Sequence, residues 1–134
     1  EFLAFELSGI TQITIPSSVK KIEFQAFKSC YNLTDVSFET PCSITHINSS
    51  TFEKCTSLKQ IIIPSSVIRI DEKAFYQCSS LAQVSFEKPS SLVSIGEYAF
   101  YDCDSLRKVS IPPSVTKMEG WCFSFIVDIT RLKE

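Results

Sequence analysis

No apolar run in this 134-residue chain is long enough to cross a bilayer, and its start, Glu1-Phe2-Leu3-Ala4, lacks the basic and long apolar stretches of a signal peptide. Clusters of Lys or Arg are missing too. With a net charge of −2 and a pI of about 5.5, this argues against a nucleic-acid partner held through phosphates and against an anionic membrane surface. Histidine occurs once, and G-x-S-x-G, HExxH, P-loop and dinucleotide patterns are absent, so neither catalysis nor a cofactor is expected. The 6 cysteines never take the C-x₂-C spacing of zinc sites, so no metal is expected either. At 44% hydrophobic and 21% charged residues, the chain has the composition of an ordinary folded protein.

What it does have is internal repetition. Aligned on the first apolar residue, the copies begin at Ile10, Leu33, Leu58, Leu81 and Leu106, so that the unit alternates between 23 and 25 residues. Ile13, Val36, Ile61, Val84 and Val109 form a second column, and Ile15, Phe38, Ile63, Phe86 and Ile111 a third. Phe27, Phe52, Phe75, Phe100 and Phe123 form an unbroken Phe column, followed three residues later by Cys30, Cys55, Cys78, Cys103 and Ile126. Every copy carries a proline (Pro16, Pro41, Pro64, Pro89, Pro112). The longer copies insert Glu39-Thr40 and Glu87-Lys88 before it, which must bulge at a turn.

A period in this range predicts stacked coils, each touching mainly its neighbours. The L-x-x-(I/V)-x-(I/F) block alternates as a strand does, and proline ends it. The V-x-x-I segment after the proline reads as a second short extended piece, and A-F-x-x-C as a tight helical turn or 3₁₀ segment. The expected fold is a repeat solenoid, a coil with a parallel β-sheet on one face and short extended or 3₁₀ segments on the other. One domain over 1–134 should hold five full repeats (10–32, 33–57, 58–80, 81–105, 106–128) with partial units at both ends. Ile126, Ile129 and Leu132 are expected in the Cys, Leu and Ile/Val columns of a sixth coil. Leu3–Ile10 looks like the tail of an earlier one, so the chain reads as a piece of a longer protein.

Ile63-Pro64-Ser65-Ser66-Val67, Gly96-Glu97-Tyr98-Ala99-Phe100-Tyr101-Asp102-Cys103 and Cys78-Ser79-Ser80-Leu81 resemble the leucine-rich repeats of the BspA-like surface proteins of bacteria and parasitic protists. The resemblance implies that the solenoid is a right-handed leucine-rich-repeat coil, and that it serves as a cell-surface or secreted, non-catalytic adhesion module whose partner is a protein of the extracellular matrix or of a host or microbial surface. An intracellular, cytoplasmic scaffold and a structural spacer in a multidomain protein are the alternatives.

Outward strand positions are the candidate partner-binding residues: Gln12, Asp35, Lys59, Gln60, Ile62, Gln83, Arg107 and Lys108, with Asp35 the only acid. Short polar side chains that merely keep a sheet solvated would look the same. Tyr76, Tyr98, Tyr101 and Trp121, beside the Phe column, form a second candidate surface. A further coil covering Trp121 and Phe125 would account for these equally well. Cys30, Cys55, Cys78 and Cys103 read as buried reduced thiols, Cys42 as an exposed one, and His46 as a surface residue. Sequons at Asn32 and Asn48 are candidate glycosylation sites, with Asn32, next to a core Leu, the less suited. An uncapped end could pair two molecules, end to end or through a sheet edge.

Overall fold

The computed structural model describes residues 9–133. The resemblance of Leu3–Leu7 to an earlier coil falls outside them. Ten short strands follow one another: β1 (Gln12–Ile15), β2 (Asp35–Phe38), β3 (His46–Ile47), β4 (Gln60–Ile63), β5 (Arg69–Ile70), β6 (Gln83–Phe86), β7 (Ser94–Ile95), β8 (Lys108–Ile111), β9 (Lys117–Met118) and β10 (Asp128–Arg131). All pairings are parallel, and the chain winds as a β-solenoid of about five turns with no helix among the described residues. The four-residue strands are those of the L-x-x-(I/V)-x-(I/F) block, alternating exposed and buried along β4 and β8. The two-residue strands are the V-x-x-I pieces, and β3, β5, β7 and β9 form one continuous sheet.

The core is a set of ladders. Leu33, Leu58, Leu81 and Leu106 are fully buried, and Ile47, Ile70 and Ile95 line the opposite wall. Between them Phe27, Phe52, Phe75, Phe100 and Phe123 stack face to face, with ring centroids 5.3, 5.3, 5.0 and 5.1 Å apart. Burying such rings supplies much of the apolar area that a coil hides.

The A-F-x-x-C segments contain the expected i→i−3 bonds without becoming a 3₁₀ helix. The N–H groups of Ala74, Tyr76 and Cys78 donate back to Asp71, Lys73 and Phe75, while those of Lys73, Phe75 and Gln77 donate outward to Glu97, Ala99 and Tyr101 of the next coil. A helix cannot send alternate amides sideways. Residues two before and two after the first four Phe residues of the column turn left-handed to do so: Gln25 and Ser29, Ser50 and Lys54, Lys73 and Gln77, Tyr98 and Asp102, all at φ of 56–61°.

The strand side departs from a single continuous sheet. β1 pairs with β2, β4 with β6 and β8 with β10, but no ladder joins β2 to β4 or β6 to β8. Both open junctions follow a long copy. At a closed junction the residue after the strand donates to the preceding coil: Glu39 to Ile15 (2.9 Å), Glu87 to Ile63 (3.0 Å), Leu132 to Ile111 (2.8 Å). In the short copies that follow a long one, this residue is Pro64 or Pro112, which has no N–H to give.

Long and short copies are also matched at the turn. The inserted Glu39 accepts a hydrogen bond from the Ser17 N–H of the preceding short coil, and Glu87 one from Ser65, each at 2.9 Å. Where Pro113 removes that donor, the next coil carries Leu132 in the Glu position.

The sixth coil runs out of the expected columns. Ile126 is 52% exposed, Val127 takes the buried position, and Ile129 pairs with Val109 rather than entering the Leu column. Val127 follows Phe123 by 4 residues where Leu106 follows Phe100 by 6, so the shortened loop shifts the strand.

Candidate strand-face site

On the strand face every named candidate is exposed: Gln12, Asp35, Lys59, Gln60, Ile62, Gln83, Arg107 and Lys108. Register sets Gln12 beside Asp35, Gln60 beside Gln83 and Lys108 beside Asp128. Asp128 is therefore a second acid on this face, correcting the expectation that Asp35 stands alone; it became visible only once the shifted sixth strand was in place. Hydroxyls run along the next column, with Thr14 and Ser37 3.0 Å apart and Ser110 and Thr130 3.1 Å apart. Ile62, 55% exposed, interrupts them as a lone apolar side chain.

The two sheet faces handle charge oppositely. On the β3-β5-β7-β9 face Lys21 pairs with Glu23 (3.3 Å), Arg69 with Asp71 (3.5 Å) and Lys117 with Glu119 (3.4 Å), always in short copies. The long copies place His46 with Asn48, and Ser94 with Gly96, at the same positions. On the strand face Lys59, Lys88, Arg107 and Lys108 form no ion pair among the described residues, Lys108 included although Asp128 is its register partner. Exposed pairs contribute little to stability, so the difference bears on what can approach each face.

Tyr76, Tyr98, Tyr101 and Trp121 do come together, on the turn segments rather than on strands. Tyr98 and Tyr101 meet edge to face at 5.5 Å, Tyr101 and Trp121 at 6.2 Å, and Trp121 and Phe125 at 4.9 Å. Trp121 is 50% and Phe125 81% exposed. The candidates thus divide into a strand-face group and a turn group.

The six cysteines are thiols. Burial of the Cys column is as expected, but these side chains also work as donors. The Sγ–H of Cys55 points to the Phe27 carbonyl, Cys78 to Phe52 and Cys103 to Phe75, at 3.1, 3.1 and 3.2 Å. Only a protonated thiol makes that bond. A hydrogen bond with Cys30, then burial, pushes the Cys55 thiol up; burial raises Cys78 and Cys122 and lifts Cys103 to about 12. Cys42 is half-buried against the core instead of exposed.

His46 is half-buried, with Nδ1 2.9 Å from the Thr45 hydroxyl. The sequons change order: Asn32 is exposed, whereas the half-buried Asn48 donates its amide N–H to the Ile22 carbonyl. No group of three metal-ligating side chains occurs among the described residues, which contain no helix long and apolar enough to cross a membrane.

No curated protein matches the chain by sequence. Among solved structures it is similar to the pneumococcal vaccine antigen PcpA (27% identity, TM-score 0.79, covering 90% of this chain and 29% of that one). It is also similar to a leucine-rich-repeat protein of T. pallidum (26%, TM-score 0.72, covering 97% and 64%). A third is a leucine-rich cell-surface protein of Faecalibacterium prausnitzii (26%, TM-score 0.63, covering 91% and 39%). The chain therefore spans 29% to 64% of the length of these relatives. The model of the BspA-type leucine-rich-repeat region matches residues 2–130 in six copies, and the chain belongs to that family.

Proposed function

We propose that this chain is a non-catalytic protein-binding module of a cell-surface or secreted protein, with the partner held on the strand face. The observation that carries this reading is the uneven handling of charge: the second sheet pairs Lys21, Arg69 and Lys117 with acids in place, while Lys59, Arg107 and Lys108 have no acidic partner among the described residues and stand beside hydroxyls and amides. A surface of that kind suits an acidic patch on a protein, with an association rate that falls as salt rises. Two structural relatives support the setting, one a vaccine antigen and one a cell-surface protein. The scaffold reading draws on the unbridged thiols, since small secreted domains commonly rely on disulfides; the thiols here are buried and hydrogen-bonded, which suits either compartment.

Surface plasmon resonance of the purified chain against a panel of matrix and host-surface proteins tests it, at two salt concentrations. Saturable binding should weaken with salt and be lost in Lys59→Glu/Arg107→Glu, while Arg69→Glu on the second sheet leaves it unchanged. Binding that tracks Arg69 and ignores Lys59 and Arg107 would overturn the strand-face assignment.

A further inference from the structure

The open junction between β6 and β8 is more than a missing ladder. It widens into a cleft of about 600 Å³, within the range of ligand-binding pockets. Its apolar floor is formed by the half-buried Phe86 and Leu132, beside Val84 and Val109, which point into the core and are only 8% and 3% exposed. Phe86 is half-buried where the short copies place a fully buried Ile63 or Ile111. The rim is polar and cationic, with Ser85 and Ser110 on the walls and Lys88 and Lys108 at the edges. Neither lysine has an acidic partner among the described residues, and no backbone hydrogen bond joins β6 to β8.

We propose that this cleft is the subsite for an extended acidic peptide segment of the partner. An apolar side chain of the segment rests on Phe86 and Leu132, and neighbouring carboxylates pair with Lys88 and Lys108. The proposal deepens the strand-face reading and rests on it. Charge complementarity selects the occupant. Two unpaired cations flank an apolar floor, and the Glu87 carboxylate that could have neutralised Lys88 is turned away to the Ser65 N–H. Lys88 belongs to the two-residue insertion of the long copy, so the insertion supplies one of the binding cations while the proline after β8 keeps the junction open.

The test is selection from a displayed library of short random peptides on the intact chain, followed by fluorescence anisotropy of the recovered peptides. Asp or Glu next to Leu, Ile or Phe should dominate, and Lys88→Glu/Lys108→Glu should weaken binding about tenfold or more. Both lysines are exposed, so the far-UV spectrum and urea midpoint should not move. Recovered peptides that lack acids, or that bind the double variant as well as the parent, overturn the subsite. If those peptides are instead lost in Lys59→Glu/Arg107→Glu, the subsite fails and the strand-face reading survives. Matrix-protein binding that resists all four charge reversals defeats both.

Discussion

Replacing Phe75 by Ala removes the middle ring of the stack. Phe75 is fully buried, with centroids 5.3 Å from Phe52 and 5.0 Å from Phe100. Truncating a buried Phe costs about 3–5 kcal/mol, because the transfer term and the cavity term add and stacked coils can collapse only partly. A domain of this size has about 5–15 kcal/mol in total, so the variant should lose a large part of its stability. The position matters as much as the size. Coils interact mainly with neighbours, so a hole at Phe75 weakens the joint between the first and second halves of the stack. Equilibrium urea unfolding followed by far-UV circular dichroism and by Trp121 fluorescence should show a lower midpoint, with the Trp121 signal of the fifth coil no longer coincident with the whole. Phe123→Ala is the internal comparison: Phe123 stacks on Phe100 alone among the described residues, is 7% exposed, and should cost less. A loss below about 1 kcal/mol at Phe75, or a larger loss at Phe123, would refute the ladder as the main source of cohesion.

Gly96→Ala should destabilise the fold in thermal melts by about 1–3 kcal/mol, since a Cβ there would lie 2.7 Å from the backbone of Asp71 and Glu72 in the preceding coil; an unchanged melting temperature would mean that the coils separate easily. Glu87→Ala removes the acceptor of the Ser65 N–H and should cost about 0.5–2 kcal/mol in urea melts, with Lys88→Ala at the same turn near neutral. Alkylation of the native chain should label Cys42 first and leave Cys55, Cys78 and Cys103 unmodified until unfolding. The same thiols set a pH dependence. Below about pH 9 they are protonated in both states and contribute nothing; above it the unfolded chain loses protons that the folded chain retains, so stability should fall from pH 9 to about 12, where Cys103 titrates. Flat stability over that window would contradict the buried-thiol assignment.

The columns of the sequence carry the architecture because each buried ladder repeats one residue type at one depth: the Phe, Leu and Cys positions could be placed before any coordinates. Three features escape that reading. Left-handed residues at Gln25, Lys54 and Gln77 give no signal, because neighbouring coils impose the conformation on side chains that do not prefer it. The break in the strand sheet does have a signal, in the prolines directly after β4 and β8, but it is legible only when the proline is counted as the missing donor of an inter-coil bond as well as the end of a strand. The sixth strand was displaced by a loop two residues too short for the repeat, which column alignment alone cannot locate. For the candidate site, exposure of the strand-face residues followed from alternation. That their cations lack partners did not, because pairing on the second sheet depends on which side chains the winding sets two residues apart on one face.

Because the inserted Glu of a long coil caps the turn of the short coil before it, and the proline of a short coil leaves the junction behind it open, the two kinds of coil are not interchangeable. Deleting a long coil would bring two short ones together, leaving a Ser N–H without its carboxylate and two open junctions in succession, and deleting a short coil would leave a Glu carboxylate without its Ser donor. The length that can be gained or lost without such a defect is a pair, one coil of 23 residues and one of 25. Lengthening by duplication, in nature or by engineering, should therefore proceed in steps of two coils, and each step would add one more cleft of the β6/β8 kind at a fixed interval along the stack.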